Sequence, residues 1–161
     1  MPTHAEQRIL PYTAEQLFDL VADVERYPEF LPWCVGARIR ERRDDVIVAD
    51  LLIGFRMVRE RFTSRVILNR PHRIDVTYAE GPFRYLQNRW LFEPTEDGGC
   101  RIDFFVDFEF RSRVLQTLIG ALFNEAVRRM VAAFESRARQ LYGSPRQPEK
   151  AGQGRLGETT R

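Results

Sequence analysis

Glu60, Ser64, Tyr78 and Asn88 are the polar side chains that alternate into one otherwise apolar face along the middle of this chain. A carboxylate, a hydroxyl, a phenol and a carboxamide can hydrogen-bond a ligand, but only Glu60 would act as a general base. Neither histidine is placed to help it, since His4 lies near the start and His72 follows Pro71 in a turn. Cys34 and Cys100 stand far apart, and no two of these Cys and His residues have metal-ligand spacing. No nucleophile–base pair or glycine-rich phosphate loop is visible. This inventory favours binding over catalysis, with no metal and no catalytic cofactor.

Arginine is the second chemical theme. Of 25 basic residues all but Lys150 are Arg, which biased codon usage explains without any function. Arg38, Arg40, Arg42 and Arg43 nevertheless precede Arg59, Arg61 and Arg65 on what reads as neighbouring strands. If their solvent faces align, the guanidiniums form a stripe able to track RNA phosphates, diluted by Glu41, Asp44 and Asp45. The chain has 161 residues and a net charge of +2. Removing the four basic and two acidic residues of 143–161 leaves 21 of each sign. A neutral body lacks the general field of a DNA-binding protein, so no DNA partner is expected.

The elements that must hold these groups follow from periodicity. The length fits one domain, expected over residues 1–142, with a disordered polar tail at 143–161. Thr3 to Leu10 reads as a strand, and Thr13 with Gln16 has capping-box spacing for a helix carrying Leu17, Phe18, Leu20 and Val21. A second short turn runs from Val24 to Tyr27. Pro28 and Pro32 then forbid regular structure in a segment loaded with Tyr27, Phe30, Leu31 and Trp33, which either plug a core or form a cavity mouth or membrane contact.

From Val35 to Phe110 the pattern is period-2 alternation interrupted by turn signals: six strands, with Gly54 expected to bend the chain after Ile53. Ser112 to Tyr142 reads as one amphipathic helix ended by Gly143. The fold class is therefore α+β: a curved seven-stranded antiparallel sheet around a long C-terminal helix, with two short helices after strand 1. A sheet buries its concave face under such a helix, and a cavity forms wherever side chains do not fill the space. Phe62, Ser64, Tyr78, Asn88, Trp90, Phe104, Phe108, Leu118 and Leu122 are the candidate ligand contacts.

This order of elements resembles the helix-grip fold of the START-like superfamily. The stretch Asp23-Val-Glu-Arg-Tyr-Pro-Glu-Phe-Leu-Pro-Trp-Cys34 resembles the coenzyme Q–binding proteins and their bacterial polyketide cyclase/dehydrase-like relatives, as do Leu52-Ile-Gly-Phe55 and Gly81-Pro-Phe83. The likeness covers residues 3 to 142. It implies a non-enzymatic carrier or chaperone of ubiquinone or another lipid that supports respiration. The alternative it implies is a toxin that binds the large ribosomal subunit, and a cyclase or dehydrase ranks behind both for want of acid–base groups. Mitochondrial members carry a targeting leader, which this N-terminus does not resemble. A bacterial cytoplasmic protein is therefore expected, peripheral on the inner face of the membrane when it collects lipid there. The start of the last helix, residues 114–123, is apolar around most of its circumference and would either cover the cavity or dip into the bilayer surface.

Overall fold

Short connections force successive strands to pair with their neighbours, and in the computed structural model, which describes residues 3–55 and 58–143, they do so almost throughout. The order is β1 (Thr3–Leu10), α1 (Ala14–Ala22), a 3₁₀ turn (Val24–Glu29), β2 (Cys34–Arg43), β3 (Val46–Phe55), β4 (Val58–Asn69), β5 (Arg73–Glu80), β6 (Phe83–Pro94), β7 (Cys100–Phe110) and α2 (Arg113–Tyr142). The strands form one antiparallel sheet ordered β1-β7-β6-β5-β4-β3-β2. Apart from Gly143, which caps α2, the expected disordered tail lies outside the described residues.

Local signals set the boundaries. Thr13 and Gln16 form the reciprocal capping box, with Gln16 N–H donating to Thr13 Oγ1 at 3.1 Å and Thr13 N–H to Gln16 Oε1 at 3.0 Å. Ser112 Oγ accepts from Leu115 N–H at the start of α2. One expectation fails: β3 continues past Ile53 through Gly54 to Phe55. Gly54 is there for close packing rather than for a bend, because a Cβ would lie 3.0 Å from both the Val35 and Arg59 side chains.

The concave face carries Phe62, Val66, Ile74, Trp90, Phe92, Phe104 and Phe108, all buried. α1 seals one end of it through Leu17, Phe18 and Val21, with Phe18 edge-on to Phe92 at 5.8 Å. The C-terminal half of α2 is pinned at that end. Tyr142 Oη donates to Gln16 O and Tyr12 Oη to Gly143 O, each at 2.9 Å, while Arg137 reaches Glu29 at 2.7 Å and Arg8 reaches Glu135 at 2.7 Å. The other half of α2 crosses the opposite end of the sheet. There the β5–β6 turn is tied to the segment that leads into the helix, through Pro82 and Phe83 to Arg111.

Candidate ligand cavity

Between the concave face and the N-terminal half of α2 lies a cavity of about 270 Å³. Its floor comes from β4, β6 and β7 through Phe62, Ser64, Val66, Asn88, Trp90, Phe104, Val106 and Phe108. Its roof comes from Ile119, Leu122, Phe123, Ala126, Val127 and Met130 of α2. Tyr27, Leu31, Trp33 and Cys34 close the side next to β2. The β5–β6 turn, the end of β7 and the start of α2 are tied together at one end of the cavity. Arg111 N–H donates to Pro82 O at 2.9 Å and Arg111 Nε–H to Phe83 O at 3.0 Å, while Gln116 Oε1 accepts from Phe110 N–H at 2.8 Å. Gly81, at φ 147°, lets the β5–β6 turn lie on Phe62, where a Cβ would come within 2.6 Å of the Phe62 Cβ.

The wall is apolar, with few polar atoms. Ser64 is almost fully buried. Asn88 Oδ1 is buried and accepts no hydrogen bond, the kind of atom that native interiors seldom leave unpaired. Glu60 is the one carboxylate on the wall. Burial pushes both the Tyr27 phenol and the Cys34 thiol above their ordinary pKa values, so both stay neutral. The Tyr27 hydroxyl donates to Val21 O, and the Cys34 Sγ–H to Gly36 O at 3.4 Å.

Seven of the nine expected contacts line this space: Phe62, Ser64, Asn88, Trp90, Phe104, Phe108 and Leu122. Tyr78 and Leu118 do not. The Tyr78 hydroxyl accepts the Phe83 N–H at 3.0 Å, and its ring stands against Phe83 at the turn. Leu118 is 39% exposed, and Ile119, one residue and about 100° further round the helix, takes the inward position. Among the rings of the 3₁₀-turn segment, Tyr27, Leu31 and Trp33 line the cavity. Phe30 instead packs on Phe134 at 5.2 Å under the Arg137 guanidinium. The other inward residues of α2 fall on the apolar face that helical spacing marks but are not among the expected contacts; at 114–123, which is apolar around most of its circumference, spacing does not separate Leu118 from Ile119.

On the convex face the arginine stripe is narrower than expected. β2 is bulged between Cys34 and Gly36 and between Ile39 and Glu41, and the second bulge sets Arg42 opposite Ile47, on the concave side. Arg38 and Arg40 lie 3.3 Å and 3.6 Å from Asp50, which also accepts from Thr63 Oγ1 at 2.6 Å. Burial alone would raise the Asp50 pKa, but the Thr63 hydrogen bond and the two guanidiniums hold it below the usual carboxylate value. Arg43 pairs with Glu41 at 2.6 Å. Arg59, Arg61 and Arg65 follow one another along the outer face of β4. Among the described residues no carboxylate lies within ion-pair distance of Arg61 or Arg65, and both are exposed.

Known proteins align with the chain over nearly all of this architecture. The family described as polyketide cyclase / dehydrase and lipid transport matches residues 10–135. A ribosome association toxin, RatA, of Rickettsia prowazekii is 40% identical over 138 residues, covering 83% of this chain and 94% of that protein. The mitochondrial coenzyme Q-binding protein COQ10 homolog B of Xenopus laevis is 35% identical over 149 residues, or 90% of this chain and 61% of that protein. Among solved structures, an 18 kDa protein of Caulobacter crescentus is 39% identical with a TM-score of 0.73, covering 89% of this chain and all of that one. A helix-grip sheet with an apolar cavity, matched in sequence from β1 to the last third of α2, makes this chain a START-like member of the polyketide cyclase / dehydrase and lipid transport family.

Proposed function

We propose that this protein is a non-catalytic factor that associates with the large ribosomal subunit and carries a hydrophobic-ligand site in its cavity. The observation that carries the ribosomal reading is the 40% identity with the Rickettsia prowazekii ribosome association toxin over 94% of that protein's length. Arg61 and Arg65 support it, being exposed cations on one strand face with no carboxylate partner among the described residues. Charge reversal of both (Arg61→Glu with Arg65→Glu) should abolish co-sedimentation with purified large subunits while the fold is retained. Unchanged co-sedimentation would sink this surface.

A second reading is favoured by a different observation: Ser64 and Asn88 set a hydroxyl and a carboxamide into the wall of an otherwise apolar cavity. Such a site suits a ring-bearing lipid with polar ring substituents, of which ubiquinone, the ligand in the name of the Xenopus relative, is the leading candidate. The Ser64 hydroxyl and the Asn88 Nδ2–H would donate to the ring oxygens, and Phe62, Trp90, Phe104, Phe108 and Leu122 would enclose the ring. With one carboxylate on the wall and no base–nucleophile pair beside it, the cavity is equipped to hold a ligand rather than transform it. Solvent extraction of the natively purified protein with mass spectrometry tests this. A stoichiometric isoprenoid quinone supports carriage, whereas an empty extract together with no binding of added ubiquinone refutes it.

A further inference from the structure

The size of the cavity limits what can enter it. An apolar protein cavity of roughly 150 Å³ takes one benzene, about 25 Å³ per heavy atom. By that measure the 270 Å³ found here accommodates about eleven heavy atoms, roughly one substituted ring with nothing left over for a tail. A lipid with a long tail must therefore leave that tail outside. At the sealed end, α1 and Phe134 block the way. Pro82, Phe110 and Ile119 line the cavity at the other end, where the β5–β6 turn, the end of β7 and the start of α2 come together.

Immediately beyond Ile119, the first turns of α2 expose apolar side chains where a soluble surface would carry polar ones. Val114 is 77% exposed and Leu118 is 39% exposed. Arg111 and Arg113 stand beside them, and no acidic residue follows until Glu125. This start of the helix is tied to the cavity rim by the Arg111 and Gln116 hydrogen bonds already described. An exposed apolar turn flanked by arginines and free of carboxylates complements an anionic bilayer surface.

We propose that the first two turns of α2 are a bilayer-docking surface on which the protein binds the ring of a membrane lipid while the tail stays in the membrane. Val114 and Leu118 enter the interfacial layer, and Arg111 and Arg113 engage lipid phosphates. This rests on the reading that the cavity takes a ring-headed lipid. It makes the protein a holder of head groups at the membrane rather than a container for whole molecules.

The test is flotation with vesicles of phosphatidylglycerol and phosphatidylcholine, run beside quenching of tryptophan fluorescence by a short-tailed ubiquinone analogue. Both tryptophans of the chain, Trp33 and Trp90, line the cavity, so quenching reports ring binding directly. The unaltered protein should float with these vesicles and be released by salt. Val114→Asp with Leu118→Asp should lower the floating fraction about tenfold or more and leave the quenching curve unchanged. Arg113→Glu should weaken flotation without affecting quenching. Flotation that is absent, or equal in the double variant, overturns the proposal. So does a double variant that still floats but no longer sediments with large ribosomal subunits, which would assign the surface to the ribosome. Salt-sensitive flotation without quenching would refute the ring-binding reading alone and leave docking standing.

Discussion

Replacing Asn88 by leucine should make the empty protein more stable and the loaded protein weaker. Asn88 Oδ1 is buried without a partner, and a polar group left so costs about 1–3 kcal/mol. Leucine has nearly the same volume and carries no such debt. It also adds apolar surface against Val76 and Val106, which pair with Asn88 across the sheet. A gain of about 1–2 kcal/mol is expected, which for a domain of this size raises the melting temperature by about 2–8 °C. The same change removes the Nδ2–H that would donate to a ring oxygen, about 0.5–1.5 kcal/mol, so affinity for a short-tailed quinone should fall about two- to tenfold. Differential scanning calorimetry of the lipid-free protein and tryptophan quenching measure the two effects on one sample. A melting temperature that stays or falls, with affinity unchanged, would show that Asn88 is satisfied by water and anchors nothing.

Two further perturbations probe the frame around the cavity. Gly81→Ala should destabilise the protein by about 2–3 kcal/mol, because the new Cβ meets Phe62 at a φ of 147°; an unchanged urea midpoint would refute the role given to this turn. Thr63→Val removes the hydroxyl that donates to Asp50 and should move the Asp50 pKa up toward its unfolded value of about 3.9. Because the folded value is depressed, the stabilisation linked to Asp50 is present above about pH 4 and is lost as the pH falls through that lower value. In the variant this stabilisation is smaller and its loss is complete at higher pH, because the folded pKa has risen; carbon-detected NMR titration of the Asp50 carboxyl would register that rise, and an identical titration midpoint would dismiss Thr63 as its support.

How far the sequence discloses this structure depends on whether a local rule or a long-range one decides the position. Alternation along β4 and β7 put Phe62, Ser64, Phe104 and Phe108 on the concave face because each of these strands keeps one phase throughout. β2 does not: its bulges exchange inside and outside within one strand, so Arg42 departs from the row containing Arg38 and Arg40. Nothing in the residue types there signals the extra residue. Thr63 lies on the face that alternation marks as wet, yet it is buried because Asp50 across the ladder draws it into a bonded pair. Tyr78 failed for a similar reason, since the turn at Gly81 brings the Phe83 N–H to its hydroxyl. In α2 the pinned half is legible from Phe134 and Ala138, whereas the phase at Leu118 and Ile119 is set by the cavity below.

The two bulges of β2 have a consequence for the chain in company. β2 ends the sheet, with β3 on one side and, among the described residues, no strand on the other. A flat edge with free N–H and C=O groups is a template on which a second copy can add its own strand. Here each bulge breaks the even spacing that an incoming strand would need. An edge bulged in this way is a poor template for a strand added by a second copy.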